Sequence, residues 1–456
     1  MNFMGKLTRT FAAVLIVGLL LGGVLEAGLQ NARAEEHGVD RTPVLGWSSW
    51  SFLRKHPTAA KMEAQARALH TSGLQEIGYK YVNLDDFWYQ CPGSQGPNVG
   101  PYGRWVTDPS KFPADGDTNG IKAVADYIHS LGLKFGIYVT PGISKQAVSK
   151  NTPIQGTPYT AAQIAEPSVT ESNYNCQGMV GINYNKPGAQ EFINSWVDML
   201  AAWGVDYIKL DGMKNTNVAD IEAWSKAIQQ NGRPMVLDIT QGRYTQAIAP
   251  VLMKYATQWE FVPDIECYRC EKGDSSYPLT SWKDVENRFN YVAEWQSYAG
   301  PGGFNDYDSI EVGNGDNDGI TPVERQTQMS LWALGSSSFI LGIDLTQLDP
   351  LDLQYLKNTA VLAVDQDAIA AKRVLHTGNQ QVFAKMEPNG DVIVGLFNTG
   401  GMAEKVSVRA STVGLPENER GYSLENLWTG KMKKSGRTIN ATVPSHGVVL
   451  YRVKAR

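Results

Sequence analysis

Eight short apolar runs, each followed by a connection or an amphipathic stretch, recur between about residues 43 and 365. No other feature restricts the fold as strongly, because parallel strands need crossovers long enough to hold a helix. The runs fall at 43–47, 81–84, 134–139, 206–210, 234–238, 258–261, 303–305 and 339–342, with helical spacing at 59–77, 121–131, 189–203 and 218–230. Eight such units close into an α/β fold of the (β/α)8 TIM barrel type, whose strand carboxyl ends share one rim. The expected rim carries Asp85, Asp86, Tyr138, Asp211, Asp238, Asp264, Asn305 and Asp306. Long connections at 89–120 and 140–187 are expected to wall a cleft above it.

Beyond about residue 370 the pattern changes to alternating segments at 381–386, 391–397, 406–409, 422–428, 438–443 and 448–453. Pro388-Asn389-Gly390 between the first two is a hairpin signal. The expected organisation is a catalytic barrel over 35–370 followed by a small C-terminal antiparallel β-sandwich over 371–456. Residues 1–34 read as a secretory signal: Lys6 and Arg9 precede an apolar run over 11–21, and Ala32-Arg33-Ala34 is a cleavable small-x-small pattern. An uncleaved anchor is the alternative. No later run is long enough for a membrane span, so a soluble mature chain is expected, and the signal directs it outside the cytoplasm, secreted or periplasmic. Losing Lys6, Arg9, Arg33 and Glu26 with the signal takes the net charge from −5 to −7.

That acidity, with no long basic block, argues against nucleic acid as a partner. A content of 42% hydrophobic and 19% charged residues excludes a disordered chain. The 12 Trp and 20 Tyr suit both sugar faces and bulky cores. Export favours oxidised thiols. Of the three pairings open to four cysteines, Cys91 with Cys176 and Cys267 with Cys270 are preferred; a zinc site is disfavoured by a single C-x-x-C with no His at ligand spacing.

Several chemistries lose support at once, since the chain has no G-x-S-x-G elbow, P-loop, G-x-G-x-x-G after a strand or H-E-x-x-H, and its 6 His are scattered. Asp316-Asn317-Asp318-Gly319 resembles part of a calcium loop but lacks the later carboxylates, and reads as a solvated turn. No cofactor and no metal are expected. Glycosidic hydrolysis, by contrast, needs two carboxyl groups across the scissile bond, and a rim rich in Asp can supply them. Asp211 follows Lys209, whose charge is expected to lower its pKa and suit it as nucleophile. Asp264 follows Phe261, Val262 and Pro263, an apolar setting expected to keep a proton on it and suit it as acid. Taken singly, each Asp is better read as a helix cap or ion-pair partner; their convergence on one rim favours catalysis.

Leu45-Gly46-Trp47-Ser48-Ser49-Trp50, Tyr81-Val82-Asn83-Leu84-Asp85-Asp86-Phe87-Trp88 and the run from Trp203 through Lys209-Leu210-Asp211-Gly212 resemble glycoside hydrolase family 27, the clan D α-galactosidase family. Phe135-Gly136-Ile137-Tyr138, Gly300-Pro301-Gly302-Gly303-Phe304-Asn305-Asp306-Tyr307-Asp308 and Thr321-Pro322-Val323-Glu324-Arg325 extend the likeness, which is ordered and spans about residues 42–370. The resemblance implies Asp211 as nucleophile and Asp264 as general acid/base of a retaining α-glycosidase. It implies Asp85 and Asp86 on the sugar's O4 and O6, Lys209 near O3 and O4, and Trp47 and Tyr138 shaping the sugar pocket.

Two departures concern the sugar's C2 side. Glu260 stands where galactosidases of the family usually place an Arg on the 2-hydroxyl, and Asp238-Ile239-Thr240-Gln241 replaces a Cys-Glu-Trp type segment. Glu260 either faces the sugar or turns away into a surface salt bridge. The leading expectation is an exported retaining α-galactosidase acting on galactose-containing oligosaccharides or polysaccharides. Within the same chemistry the alternatives are β-L-arabinopyranosidase, α-N-acetylgalactosaminidase and isomaltose-releasing dextranase; outside it, a noncatalytic sugar-binding barrel. Oligomeric state is not legible in the sequence.

Overall fold

A computed structural model describes residue 39 and residues 41–456 except 243, 274 and 417–419. The secretory signal expected over 1–34 lies outside the described residues. One sheet of eight parallel strands forms the first part: β1 (Leu45–Ser48), β2 (Tyr81–Leu84), β3 (Lys134–Val139), β4 (Tyr207–Leu210), β5 (Val236–Thr240), β6 (Gln258–Glu260), β7 (Phe304–Asp306) and β8 (Phe339–Leu341). Each pairs with its successor from β1 to β7, and β8 pairs back with β1. Just past β7, Ile310 bridges Leu341, accepting from Gly342 N at 3.1 Å and donating to Ile340 O at 2.8 Å, which joins the seventh and eighth strands. The expected TIM barrel is therefore present.

Side chains alternate across each strand, and the interior fills in layers. Val44, Tyr81, Tyr207, Val236 and Ile340 make a separate apolar cluster at the amino end of the barrel, with the Tyr81 and Tyr207 rings 5.8 Å apart. Two residues further along the same strands come Asn83, Lys209 and Asp238, and two further still Asp85, Asp211 and Thr240. The barrel is thus apolar below and increasingly polar toward its carboxyl rim. Gly136 is required by this crowding, since a Cβ there would lie 2.1 Å from Asn83 Oδ1 and 3.0 Å from Tyr207 Cβ.

The helix expected over 59–77 stops at Thr71, because Gly73 adopts a φ of +80°, and a 3-10 turn follows at Gln75–Ile77. The connections after β2 and β3 are not structureless: the second contains a small antiparallel sheet of Ile143–Ser144, Ala165–Glu171 and Met179–Ile182. Cys91–Cys176 ties the two connections together, and Cys267–Cys270 closes the expected local ring.

Antiparallel strands β9 (Lys372–Thr377), β10 (Gln380–Met386), β11 (Val392–Asn398), β12 (Glu404–Arg409), β13 (Tyr422–Asn426), β14 (Met432–Ser435), β15 (Thr438–Val443) and β16 (Val448–Ala455) form the second part. Their sheets run β9-β10-β11-β16-β13-β14 and β12-β15 and bury Val394, Leu396, Val406, Ile439 and Val443 between them, the expected sandwich. At the expected hairpin, Glu387 N donates to Asp391 O at 2.8 Å and Gly390 takes a φ of +86°. The weakly apolar β9 and β14 were not legible in the alternation. Asp318, expected in a solvated turn, is instead fully buried: it accepts from Gly313 N and Asn314 N, each at 3.0 Å, and stands 3.5 Å from Arg325.

Candidate active site

A cavity of about 320 Å³ opens at the carboxyl rim of the barrel, lined by Trp50, Asp85, Asp86, Tyr138, Tyr174, Lys209, Asp211, Thr240, Glu260, Asp264, Glu266, Tyr268 and Asp308. Seven of the eight residues expected at the site are among them; Trp47 is not.

From β2, Asp85 receives Asp86 N at 2.7 Å and Lys209 Nζ at 3.0 Å. Its own amide donates to Ser49 Oγ beyond β1, at 2.9 Å. Asp86 accepts from Phe87 N at 2.6 Å and Asn175 N at 3.1 Å, so a residue of the long connection after β3 holds it. Burial pushes the Asp86 carboxyl up to about 7. On β3, Tyr138 is 1% exposed and its hydroxyl has no partner among the described residues, which leaves it to a ligand.

On β4, burial opposes the charge of Lys209, but Asp85, Glu260 and Asp211 outweigh it and hold the ammonium well above its usual range. Asp211 follows the strand, its amide donating to Val139 O at 2.9 Å. Its carboxyl is raised to about 6, because burial exceeds the opposing pull of Lys209. The expected lowering by Lys209 is real in direction but is overridden; that ammonium is already committed to Asp85.

Glu260 on β6 is 5% exposed, lines the cavity and stands 3.9 Å from Lys209 Nζ. It faces inward, and its ion-pair partner among the described residues is Lys209 rather than a surface cation. Asp264 corrects a second expectation: Phe261 and Val262 are fully buried behind it, yet Asp264 itself is exposed, so the apolar stretch does not desolvate it. Oxygens of Glu260, Asp264 and Asp308 lie within 4.8 Å of one another, the only such group among the described residues close enough to share a cation. Burial pushes Glu260 and Asp308 upward; repulsion from Asp308 adds to it at Glu260, while the Arg288 charge opposes it at Asp308.

The parity of the strands explains the misplaced residues. Ser48 faces inward on β1, so Trp47 points to the helix layer, fully buried, with Nε1 donating to Ile343 O at 2.6 Å. Trp50, three residues on, is the Trp at the cavity. Asn305 likewise faces outward, accepting from Trp259 Nε1 at 2.7 Å and donating to Trp295 O at 2.9 Å. Asp238 does face inward but one layer deeper, accepting from Tyr207 Oη at 2.9 Å, while Asp306, in register with Glu260, faces inward and accepts from Gln258 Nε2 at 2.5 Å. Asp308, Glu266, Tyr268 and Tyr174 also line the cavity and are not among the residues expected there. Asp308 was findable, because it is two residues past inward-facing Asp306.

The chain matches the family described as alpha galactosidase A over residues 42–166 and 146–367, and the alpha galactosidase C-terminal beta sandwich domain over 377–453. An alpha-galactosidase of Coffea arabica is 31% identical over 421 residues, covering 91% of this chain and 94% of the relative. An alpha-galactosidase of Cyamopsis tetragonoloba is 29% identical over 462 residues, covering 97% and 96%. Among solved structures, a family 27 β-L-arabinopyranosidase from Geobacillus stearothermophilus is similar with a TM-score of 0.81 at 28% identity, covering 91% of this chain and 96% of that one.

Proposed function

The chain belongs to the α-galactosidase A family, glycoside hydrolase family 27, and is a glycoside hydrolase; from that premise we propose that it is an exported retaining α-galactosidase with Asp211 as nucleophile and Asp264 as acid/base. The observation that carries the reading is that two carboxylates from different strand ends line one cavity, near enough for the charge of Asp264 to contribute to the shift of Asp211. Asp211 attacks the anomeric carbon while Asp264 protonates the departing oxygen. Water then adds to the anomeric carbon, its proton returns to Asp264 and the glycosyl ester to Asp211 breaks. Asp85, Asp86 and Lys209 hold the sugar's hydroxyls, and Tyr138 offers a free hydroxyl to the ring. Glu260 and Thr240 occupy the wall where the C2 group is expected. Two disulfides accord with export.

A second reading is favoured by the Geobacillus structure, whose β-L-arabinopyranoside substrate has the ring configuration of α-D-galactose without C6. Turnover of a nitrophenyl glycoside panel separates the readings. Fastest cleavage of α-D-galactopyranoside is the expected result, lost about a thousandfold or more in Asp211→Asn, with Asp264→Asn lowering kcat through the water-activating second step more than kcat/KM, because nitrophenolate departs unprotonated. Faster cleavage of β-L-arabinopyranoside or α-N-acetylgalactosaminide replaces the substrate assignment, and no turnover of any member leaves a binding protein.

A further inference from the structure

Asp264 lies in the loop after β6, so its orientation depends on side chains around it. Among the described residues one side-chain donor reaches its carboxylate: the Tyr268 hydroxyl, 2.5 Å from Oδ2. A third group fixes the direction of that bond. Trp50 Nε1 donates to the same phenol oxygen at 2.8 Å, and an indole nitrogen can only donate. The phenol oxygen therefore accepts from Trp50, and its own hydrogen is directed to Asp264.

The support extends further back. The Arg54 guanidinium stands 4.8 Å from the Tyr268 ring centre and 6.0 Å from that of Trp50. It is held by Glu271 at 2.7 Å and Glu266 at 3.5 Å. Tyr268 sits inside the four-residue ring closed by Cys267–Cys270, and that loop is fastened by Cys267 N to Leu279 O at 2.8 Å and Thr280 Oγ1 to Ile265 O at 2.7 Å. Partial desolvation of a residue that is still 43% exposed, with the carboxylates of Glu266 and Asp264, pushes the phenol above its ordinary range, so it stays protonated. The other charged groups facing Asp264 are Glu260 and Asp308, with Glu266 and Asp211 further round the cavity.

We infer that Tyr268, aligned by Trp50, is a positioning residue for the acid/base: it occupies Oδ2 of Asp264 and leaves Oδ1 to pass the proton to the leaving oxygen. The inference rests on the assignment of Asp264 made above. The Tyr268 hydrogen stays on its oxygen in both steps; only the Asp264 proton moves. A group acting this way matters most for leaving groups that need protonation, and little for nitrophenolate, which departs without it.

The test compares kcat/KM against pH for methyl and 4-nitrophenyl α-D-galactopyranoside in wild type, Tyr268→Phe, Trp50→Phe and Asp264→Asn, with unfolding midpoints as a control. Tyr268→Phe is expected to lose about tenfold or more on the methyl glycoside and less than about threefold on the nitrophenyl one. Its alkaline limb is expected to move up by about one pH unit, because the lost hydrogen bond favoured the carboxylate over the acid. Trp50→Phe shifts the same limb in the same direction by less, and decides the matter if Tyr268→Phe does not fold. Equal losses on both substrates with an unmoved limb overturn the inference and leave a structural role. Wild-type cleavage of the methyl glycoside by Asp264→Asn instead overturns the acid/base assignment itself.

Discussion

Lys209 donates to Asp85 at 3.0 Å and its charge also reaches Asp211, yet the two carboxylates do not share it equally. Asp85 holds the hydrogen bond, and Asp211 is left with desolvation as its larger influence. In the proposed mechanism the nucleophile has to be ionised, so the sign is clear: with its carboxyl raised to about 6, Asp211 loses its charge as pH falls through that value. The acid limb of kcat/KM is expected near pH 6, with activity falling below it. A limb near pH 4 would show that Lys209 dominates after all. The charged neighbours of Asp211 are legible in the sequence, Lys209 standing two residues before it. The balance of burial against charge is not legible there, because depth in the barrel is set by all eight strands together.

Strand parity is the element-scale rule that organises the site. Tyr81, Asn83 and Asp85 lie on one face of β2 and just beyond it, as do Tyr207, Lys209 and Asp211 on β4, so each strand carries its apolar plug, polar layer and rim residue at a spacing of two. The same rule turns Trp47 and Asn305 away from the cavity. The connections that wall the cavity obey no such periodicity. They are held by the Cys91–Cys176 disulfide, of sequence separation 85, and by the bond from Asn175 N to Asp86 Oδ2 at 3.1 Å. Cys91→Ser with Cys176→Ser is expected to cost about 2–4 kcal/mol of stability. It should raise KM more than it lowers kcat, since Asn175 and Tyr174 lose their anchor while Asp211 and Asp264 do not. Chemical denaturation and steady-state kinetics check both, and an unchanged KM would detach this wall from substrate binding.

For the whole molecule, barrel and sandwich share packing. Phe383, Ile393, Phe397, Val448 and Leu450 of the sandwich join the same buried cluster as Phe289 and Leu334 of the barrel segment, and the Phe289 and Phe397 rings are 5.1 Å apart. His446 stacks on Trp282 at 4.4 Å and pairs with Glu324 at 2.6 Å, while Trp428 Nε1 donates to Ser330 at 2.8 Å. Such a junction is apolar at its centre and hydrogen-bonded around it, so calorimetry is expected to record one unfolding transition. Two resolved transitions would mean that the halves unfold independently.

Periodicity and turn residues in the amino-acid sequence carry the order of the eight barrel strands, the barrel, most strands of the sandwich and the acidic rim; for the cysteines they support a preference, and β9 and β14 escape them. The folded chain alone sets how deep Asp211 sits, turns Glu260 to the cavity, puts Trp50 rather than Trp47 at its wall, and brings Asp308, Glu266 and Tyr268 to the site. Those facts depend on contacts between residues far apart in the chain, such as Tyr268 with Trp50, and on burial, which no single segment contains.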